Sequence, residues 1–270
     1  MQYFDDIGRR LPSAGMRTFS ATPSSYYRLE QPQLDYVSIL DRIGRHLDIE
    51  LGISASDFEG RVDALVSKVK SSSDFGGLTA GVFVPFAFRR LRKRIDLGSE
   101  LERYLLPGLQ KSFLERFPDA HFKAVLQGDS ELENSVSIDP RSRYENFVDA
   151  IEKQTVVGIY FPQALQEFDV ASQRIQMQSL PELDGASICL SGGIDICTAL
   201  TGAPELLIST NDYTPIPIMS SYVHRDERLV LLLKAYGPHM EFWCMTQMLT
   251  KDVTQVSEQW AGGLTIYDAD

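Results

Sequence analysis

Residues 186–200 read ASICLSGGIDICTAL, and the pattern of this stretch changes halfway along it. The apolar run at 188–190 is short and follows small residues, which predicts a buried strand. Gly192 and Gly193 then predict a tight turn, and the following residues are typical of a helix. A strand followed directly by a helix indicates a fold that contains both α-helices and β-strands. We therefore predict an α+β or α/β fold, with a mixed sheet flanked by helices.

The rest of the chain repeats this alternation. Apolar residues at helical spacing predict helices over residues 33–47, 58–70, 100–117 and 144–153, the third interrupted at Pro107 and Gly108. Strands are predicted at 81–88, 122–127, 156–161, 175–178, 188–190, 216–223, 229–236 and 241–248. The connections at 224–228 and 237–239 are too short for crossover helices, so we expect hairpins and an antiparallel C-terminal part.

Two features bear on domain organisation. Residues 1–30 are rich in Ser, Thr, Pro, Gly and Tyr and predict a partly irregular N-terminal arm, followed by a single globular domain over 31–270. The segments GVFVPFAF at 81–88 and GIYFPQAL at 158–165 share a pattern. One interpretation is a duplicated helix–strand module with similar halves at about 54–130 and 141–223, followed by C-terminal hairpins. The alternative is two unrelated strands that each end at a proline.

The charge distribution restricts the classes of partner. The protein is acidic, with a net charge of −11, of which −2 falls in residues 1–150 and −9 in the remainder. This charge disfavours nucleic-acid association except through one basic cluster, which a solvated surface also explains. That cluster consists of Arg89, Arg90, Arg92, Lys93 and Arg94.

The cysteines and the absence of long apolar runs bear on location. Cys189, Cys197 and Cys244 form an odd set without a CxxC pair, which fits buried thiols in a reducing compartment. No apolar run is long enough for a membrane span, and the first residues lack the apolar core of a signal peptide. We therefore expect a cytoplasmic protein.

The loop Ser191-Gly192-Gly193-Ile194-Asp195 is the one candidate cofactor site. It resembles the SGGxDS signature of the PP-loop ATP pyrophosphatase superfamily, although Ile196 stands where that signature has a hydroxyl residue. The resemblance implies ATP with magnesium: backbone N–H groups of Gly192 and Gly193 and the Ser191 hydroxyl on phosphate, and Asp195 capping a helix or contacting magnesium. The alternative is a strand-to-helix turn in which Asp195 is the N-cap.

No other motif indicates chemistry. The four histidines have no metal-ligand spacing, and no nucleophile has a local signature, so we nominate no catalytic or metal residue. In the strand around 240–248 either both faces are core, or one face is a Met and aromatic surface for a partner.

These observations favour a binding or interaction protein for a protein or small-molecule ligand, with no cofactor. The first alternative is a nucleotide-binding enzyme that uses the Ser191–Asp195 loop. The weaker alternative is nucleic-acid association through the basic cluster.

Overall fold

The computed structural model describes residues 3–13, 27–90, 95–126, 132–208, 214–246 and 259–268. The helices are α1 Tyr36–Leu47, α2 Ala55–Ser71, α3 Leu97–Glu100, α4 Leu106–Arg116, α5 Tyr144–Lys153, α6 Val170–Gln178 and α7 Gly193–Gly202. Two 3-10 turns lie at Gly76–Ala80 and Pro204–Leu207, and a π-helical turn at Leu101–Leu105 joins α3 to α4. The strands are β1 Val84–Phe88, β2 His121–Leu126, β3 Val136–Ile138, β4 Val156–Phe161, β5 Ser187–Leu190, β6 Ile216–Ile218, β7 Tyr222–His224, β8 Leu229–Tyr236, β9 His239–Thr246, β10 Trp260–Gly262 and β11 Leu264–Tyr267.

The described strands form three sheets. A four-stranded antiparallel sheet has the order β1-β4-β11-β5. A five-stranded sheet has the order β10-β6-β8-β9-β2, in which β10 pairs parallel with β6, and β2 parallel with β9. The third sheet is the antiparallel pair β3-β7. The predicted mixture of helices with a mixed sheet, an α+β fold, is confirmed.

Helix α7 lies at the centre of the main core. Every residue of α7 is buried, and the helix contacts α1, α4 and β1. A helix that is apolar on all sides is stable only where every side is covered by protein. The apolar second half of the opening stretch is therefore a buried helix, directly preceded by β5.

Several predicted elements agree closely with the structure. The bounds of α5, β4 and β8 are those predicted, and α1 and α2 differ from prediction by at most three residues at an end. The predicted interruption of the helix over 100–117 lies just before Pro107, as the π-helical turn. Proline has no N–H and its ring crowds the carbonyl four residues earlier, which accounts for the irregular turn there.

Three predictions of local structure are wrong. Residues 175–178 belong to helix α6, whose N-terminus is capped by Asp169 accepting from the Ser172 N–H at 2.6 Å. The predicted strand over 216–223 is two strands in different sheets, β6 and β7. The connection at 224–228 does not form a hairpin, because β7 pairs with β3 and β8 pairs with β6. The hairpin between β8 and β9 is confirmed.

The described part of the N-terminal arm packs on the rest of the protein. Phe4 is buried, the Arg10 N–H donates to the Ala164 carbonyl at 2.7 Å, and Arg9 pairs with Glu167 at 2.8 Å. Residues 14–26 lie outside the described ranges. Within those ranges no helix is both long and apolar enough to cross a membrane.

The two segments with similar sequence form neighbouring strands. β1 and β4 pair antiparallel, with Val84 opposite Tyr160. Pro85 lies inside β1, whereas Pro162 follows the end of β4, so the two prolines do not end equivalent strands. The duplication itself stays a prediction.

Candidate functional site

The Ser191–Asp195 loop is buried and hydrogen-bonded to the protein itself. The Asp195 carboxylate accepts from the Tyr144 hydroxyl and from the Gly192 N–H, each at 2.8 Å, and from the Thr265 hydroxyl. The Ile194 N–H donates to the Tyr144 hydroxyl at 3.1 Å. Two backbone N–H groups at the start of α7 therefore already have partners within the protein.

The cap of α7 differs from the prediction. Gly192 is the N-cap, and Asp195 lies three residues later, where its side chain accepts from the N-cap N–H. This is the carboxylate half of a capping box. The prediction of Asp195 as the N-cap residue is therefore wrong by three positions, although its carboxylate does stabilise the helix start.

Aromatic rings occupy the space beside both loop glycines. A Cβ atom on Gly192 would lie 2.7 Å from Tyr144 Cζ, and one on Gly193 would lie 2.6 Å from Tyr222 Cε2. The glycines thus permit close packing of tyrosine rings. The Ser191 hydroxyl is 2.8 Å from the Thr265 hydroxyl. The structure brings all four predicted cofactor residues together, but the space that a phosphate needs is filled, and ATP binding here stays a prediction.

Burial raises the pKa of the acidic side chains in this cluster. Burial raises the pKa of the Asp195 carboxyl, against hydrogen bonds that lower it. Burial, with the Asp195 charge as the second cause, places the pKa of Tyr144 and Tyr160 well above the ordinary value. The same two causes raise the pKa of the Cys197 thiol. A thiol that holds its proton is a poor nucleophile, so the raised pKa gives no support to Cys197 as a nucleophile.

The basic cluster is only partly within the described residues. Arg90 is buried, and its guanidinium pairs with Glu100 at 2.5 Å and with Glu152 at 2.9 Å. Its charge is therefore neutralised inside the protein, and Arg90 is removed from the residues predicted to contact nucleic acid. Arg89 is half-buried, while Arg92, Lys93 and Arg94 lie outside the described residues.

One open groove has the volume of a small-molecule site but lacks free polar groups. It measures about 520 Å³ and lies between α2 and the chain near Thr155 and Asp268. Its Arg61 pairs with Asp268 at 2.7 Å and donates to the Thr155 carbonyl at 2.9 Å, and Lys68 donates to the Gly185 carbonyl. Both cations are engaged by the protein, so this groove does not identify a ligand.

A smaller groove runs beside strand β2, and we call it the β2 groove. It has a volume of about 180 Å³, below the roughly 300–1,000 Å³ of typical small-molecule pockets. Its lining is Glu102, Leu106, Pro107, Gln110, Phe122, Ala124 and Phe242. Ala124 is exposed there, on a strand whose neighbour β9 is largely buried on the same face. The groove therefore suits a single apolar side chain better than a whole small molecule.

The backbone of β2 has two sides, of which one pairs with β9 and the other pairs with no described strand. The His121 N–H donates to the Pro238 carbonyl at 3.0 Å, toward β9. Alternate residues of a strand direct their backbone groups to opposite sides, so Phe122 and Ala124 direct theirs away from β9. Among the described strands none pairs with that side. The Phe122 carbonyl accepts from the Gln110 side-chain amide of helix α4 at 3.2 Å, which is consistent with a carbonyl that points away from β9.

The two faces of strand β9 differ in burial. Met240, Phe242 and Cys244 are buried in the main core. Trp243 and Met245 lie on the outer face of the five-stranded sheet, half-buried. With Val230 and Trp260 they pack on a small second cluster formed by Val170, Ile216, Ile218 and Leu232. The sequence left open whether one face of this strand is a Met and aromatic surface for a partner. The outer face carries Trp243 and Met245, the residue types that such a surface needs.

Comparison of the chain with known protein families, with curated proteins and with solved structures finds no match. The described residues contain no group of three or more metal-ligating side chains. The geometry itself must therefore indicate the function. Sequence reasoning missed the edge position of β2, and the available signal was Lys123, because a lysine inside a strand is typical of a sheet edge.

Proposed function

We propose that this chain is a binding protein that captures an extended protein segment along the edge of β2 that faces away from β9. The observation that carries the proposal is that no described strand pairs with the outward backbone of Phe122 and Ala124, beside the apolar β2 groove. Such a strand edge is a template for an added strand, and a neighbouring pocket supplies side-chain selectivity.

The apolar part of the outer face supports the same function. An added strand would extend the five-stranded sheet on the side of β2 opposite β9. In the strand register Val125 lies opposite Trp243, so the half-buried apolar surface continues to the end strand β2. Half-exposed aromatic and Met side chains are enriched at protein interfaces.

The location of this activity is also a proposal. All three cysteines are free and buried, and burial raises the pKa of Cys244 to about 11. Inert thiols without disulfides fit a reducing compartment, so we propose that binding takes place in the cytoplasm.

The test uses a random-peptide library selected on the purified protein and then the variant Ala124→Pro. Proline removes the N–H that points away from β9 and leaves the bonds to β9, which residues 121, 123 and 125 make. We expect the variant to bind selected peptides about five- to tenfold more weakly, since one hydrogen bond contributes about 1 kcal/mol net.

The control Ala124→Ser keeps the N–H and should keep the affinity. Thermal unfolding of both variants checks that they are folded. Hydrogen exchange provides a second readout, because the Phe122 and Ala124 amides should become protected when a selected peptide is bound. Peptides that bind the proline variant as tightly as the native chain, without protecting these amides, would refute strand addition at β2.

A further inference from the structure

We infer that the segment captured by β2 carries an acidic residue opposite Lys123 and, next to it in sequence, an apolar residue seated in the β2 groove. This inference rests on the proposed function and names the chemistry of the partner. It follows from the charges and the pocket that the strand register places on the two sides of β2.

The outer face of the sheet has a row of alternating charge that stops at Lys123. Lys123 lies opposite Glu241, and Glu241 lies opposite Lys234 on the next strand. Lys123 is exposed on the end strand. Glu241 is half-buried and accepts a hydrogen bond from the Trp243 indole at 2.8 Å. Opposite charges directly across a strand pair are stabilising and like charges are destabilising. A strand added beside Lys123 continues the alternation with Asp or Glu.

The inner side of the same edge selects an apolar side chain. Neighbouring residues of a strand point to opposite faces, so the partner residue opposite Ala124 lies on the groove side. Most of the groove lining there is apolar, including Leu106, Pro107 and Phe242, while Glu102 and Gln110 are its polar members. The groove has a volume of about 180 Å³, whereas one water molecule takes up about 30 Å³ in the liquid, so the groove has room for several water molecules. An apolar side chain gains by displacing that water, whereas a charged one would lose hydration.

The β2 strand of a second copy does not supply these groups. The residues that β2 presents on the outer face are His121, Lys123 and Val125, and none is acidic. Pairing of two β2 edges would therefore bring no carboxylate to Lys123, and in one register would set the two lysines opposite each other. Lysine on an edge strand disfavours such self-association. The occupant is consequently not the β2 strand of a second copy but a segment that provides an acidic and an apolar residue in succession.

The experiment compares three synthetic versions of one library-selected peptide, with Glu, Gln or Lys at the position opposite Lys123. Each is titrated against the native chain and against Lys123→Glu. We expect the native chain to bind the Glu peptide about two- to fivefold more tightly than the Gln peptide, with the Lys peptide weakest. In Lys123→Glu the order should reverse. The preference should shrink as salt is raised, because exposed charges are screened.

A matched control tests whether the effect is specific to the edge. Lys234 is the other cation of the row but lies two strands inward, so Lys234→Gln should leave the order of the three peptides unchanged. Replacing the peptide residue opposite Ala124 with Asp should abolish binding, and replacing it with Leu or Val should preserve it.

The possible failures are distinguishable. Equal binding of the Glu, Gln and Lys peptides, with Ala124→Pro still defective, would overturn the acidic preference and leave strand addition standing. Selected peptides that are indifferent to Ala124→Pro would overturn strand addition itself. A native chain that forms dimers through β2, detected as a mass that falls to that of one chain in Ala124→Pro, would identify a second copy as the occupant and overturn the inference.

Discussion

Gly193 is compatible with two interpretations of its sequence, a phosphate-binding loop and a tightly packed turn. Its missing side chain suits either a phosphate or a neighbouring ring, and in the structure the neighbour is Tyr222. The ring belongs to β7, about thirty residues further along the chain, so no local pattern indicates it. The buried Asp195 carboxylate likewise depends on donors from distant residues, Tyr144 and Thr265.

We expect Gly193→Ala to lower the free energy of unfolding by about 1–3 kcal/mol, because a Cβ there would lie 2.6 Å from the Tyr222 ring. The control is Gly60→Ala, since Gly60 is exposed in α2 and a Cβ added there would have no atom within 4 Å. That change should raise stability by up to about 1 kcal/mol through helix propensity. Urea unfolding measures both, and an unaffected Gly193→Ala would contradict the packing described.

At the scale of elements, Arg90 connects three parts of the chain. It lies two residues after the end of β1, and its side chain pairs with Glu100 at the end of α3 and with Glu152 in α5. Its own N–H donates to the Ile151 carbonyl at 2.8 Å. Arg90 belongs to a basic cluster that is typical of a surface, but its side chain lies in the interior.

Replacing Arg90 with Ala should lower the free energy of unfolding by about 3–5 kcal/mol, because it leaves the buried Glu100 without its cation. The matched control is Arg103→Ala, which removes an exposed pair with Glu133 and should cost less than about 1 kcal/mol. Chemical denaturation of the two variants in the same buffer makes the comparison. Equal losses would show that Arg90 contributes no more than a surface ion pair.

At the scale of the whole molecule, one apolar core joins the two large sheets. Leu231, Leu233 and Phe242 of the five-stranded sheet belong to the same cluster as Ile159 and Ile266 of the four-stranded sheet. Both tryptophans, Trp243 and Trp260, lie in the five-stranded sheet, so their fluorescence reports on that sheet. Far-ultraviolet circular dichroism reports mainly on the helices.

We expect these two signals to give the same unfolding midpoint, because a continuous core couples the sheets and helices into one cooperative unit. Leu233→Ala should destabilise by about 2–5 kcal/mol and shift both midpoints together. The measurement is a denaturant titration followed with both probes. Separation of the fluorescence midpoint from the helical one in this variant would mean that the sheets unfold independently.

Elements could be predicted from the sequence where one continuous stretch of eight or more residues carries the pattern. The bounds of β8 and α5 follow from a continuous apolar run or from helical spacing. Sequence reasoning failed at 175–178, because four alternating residues do not distinguish a strand from the last turn of a helix whose cap, Asp169, lies six residues earlier. It also failed for β7, whose partner β3 is more than eighty residues away.

The fold class, most element positions and the strand–turn–helix passage through Gly192 and Gly193 could be predicted from the sequence, since these depend on side-chain periodicity and backbone freedom. The folded chain was needed to show what faces those glycines, that Arg90 is paired in the interior, and that β2 is the end strand of the described five-stranded sheet, beside a groove. These features depend on which distant segments meet. Strand order and ring contacts result from packing the whole core, and the spacing of residues along the chain carries no record of them.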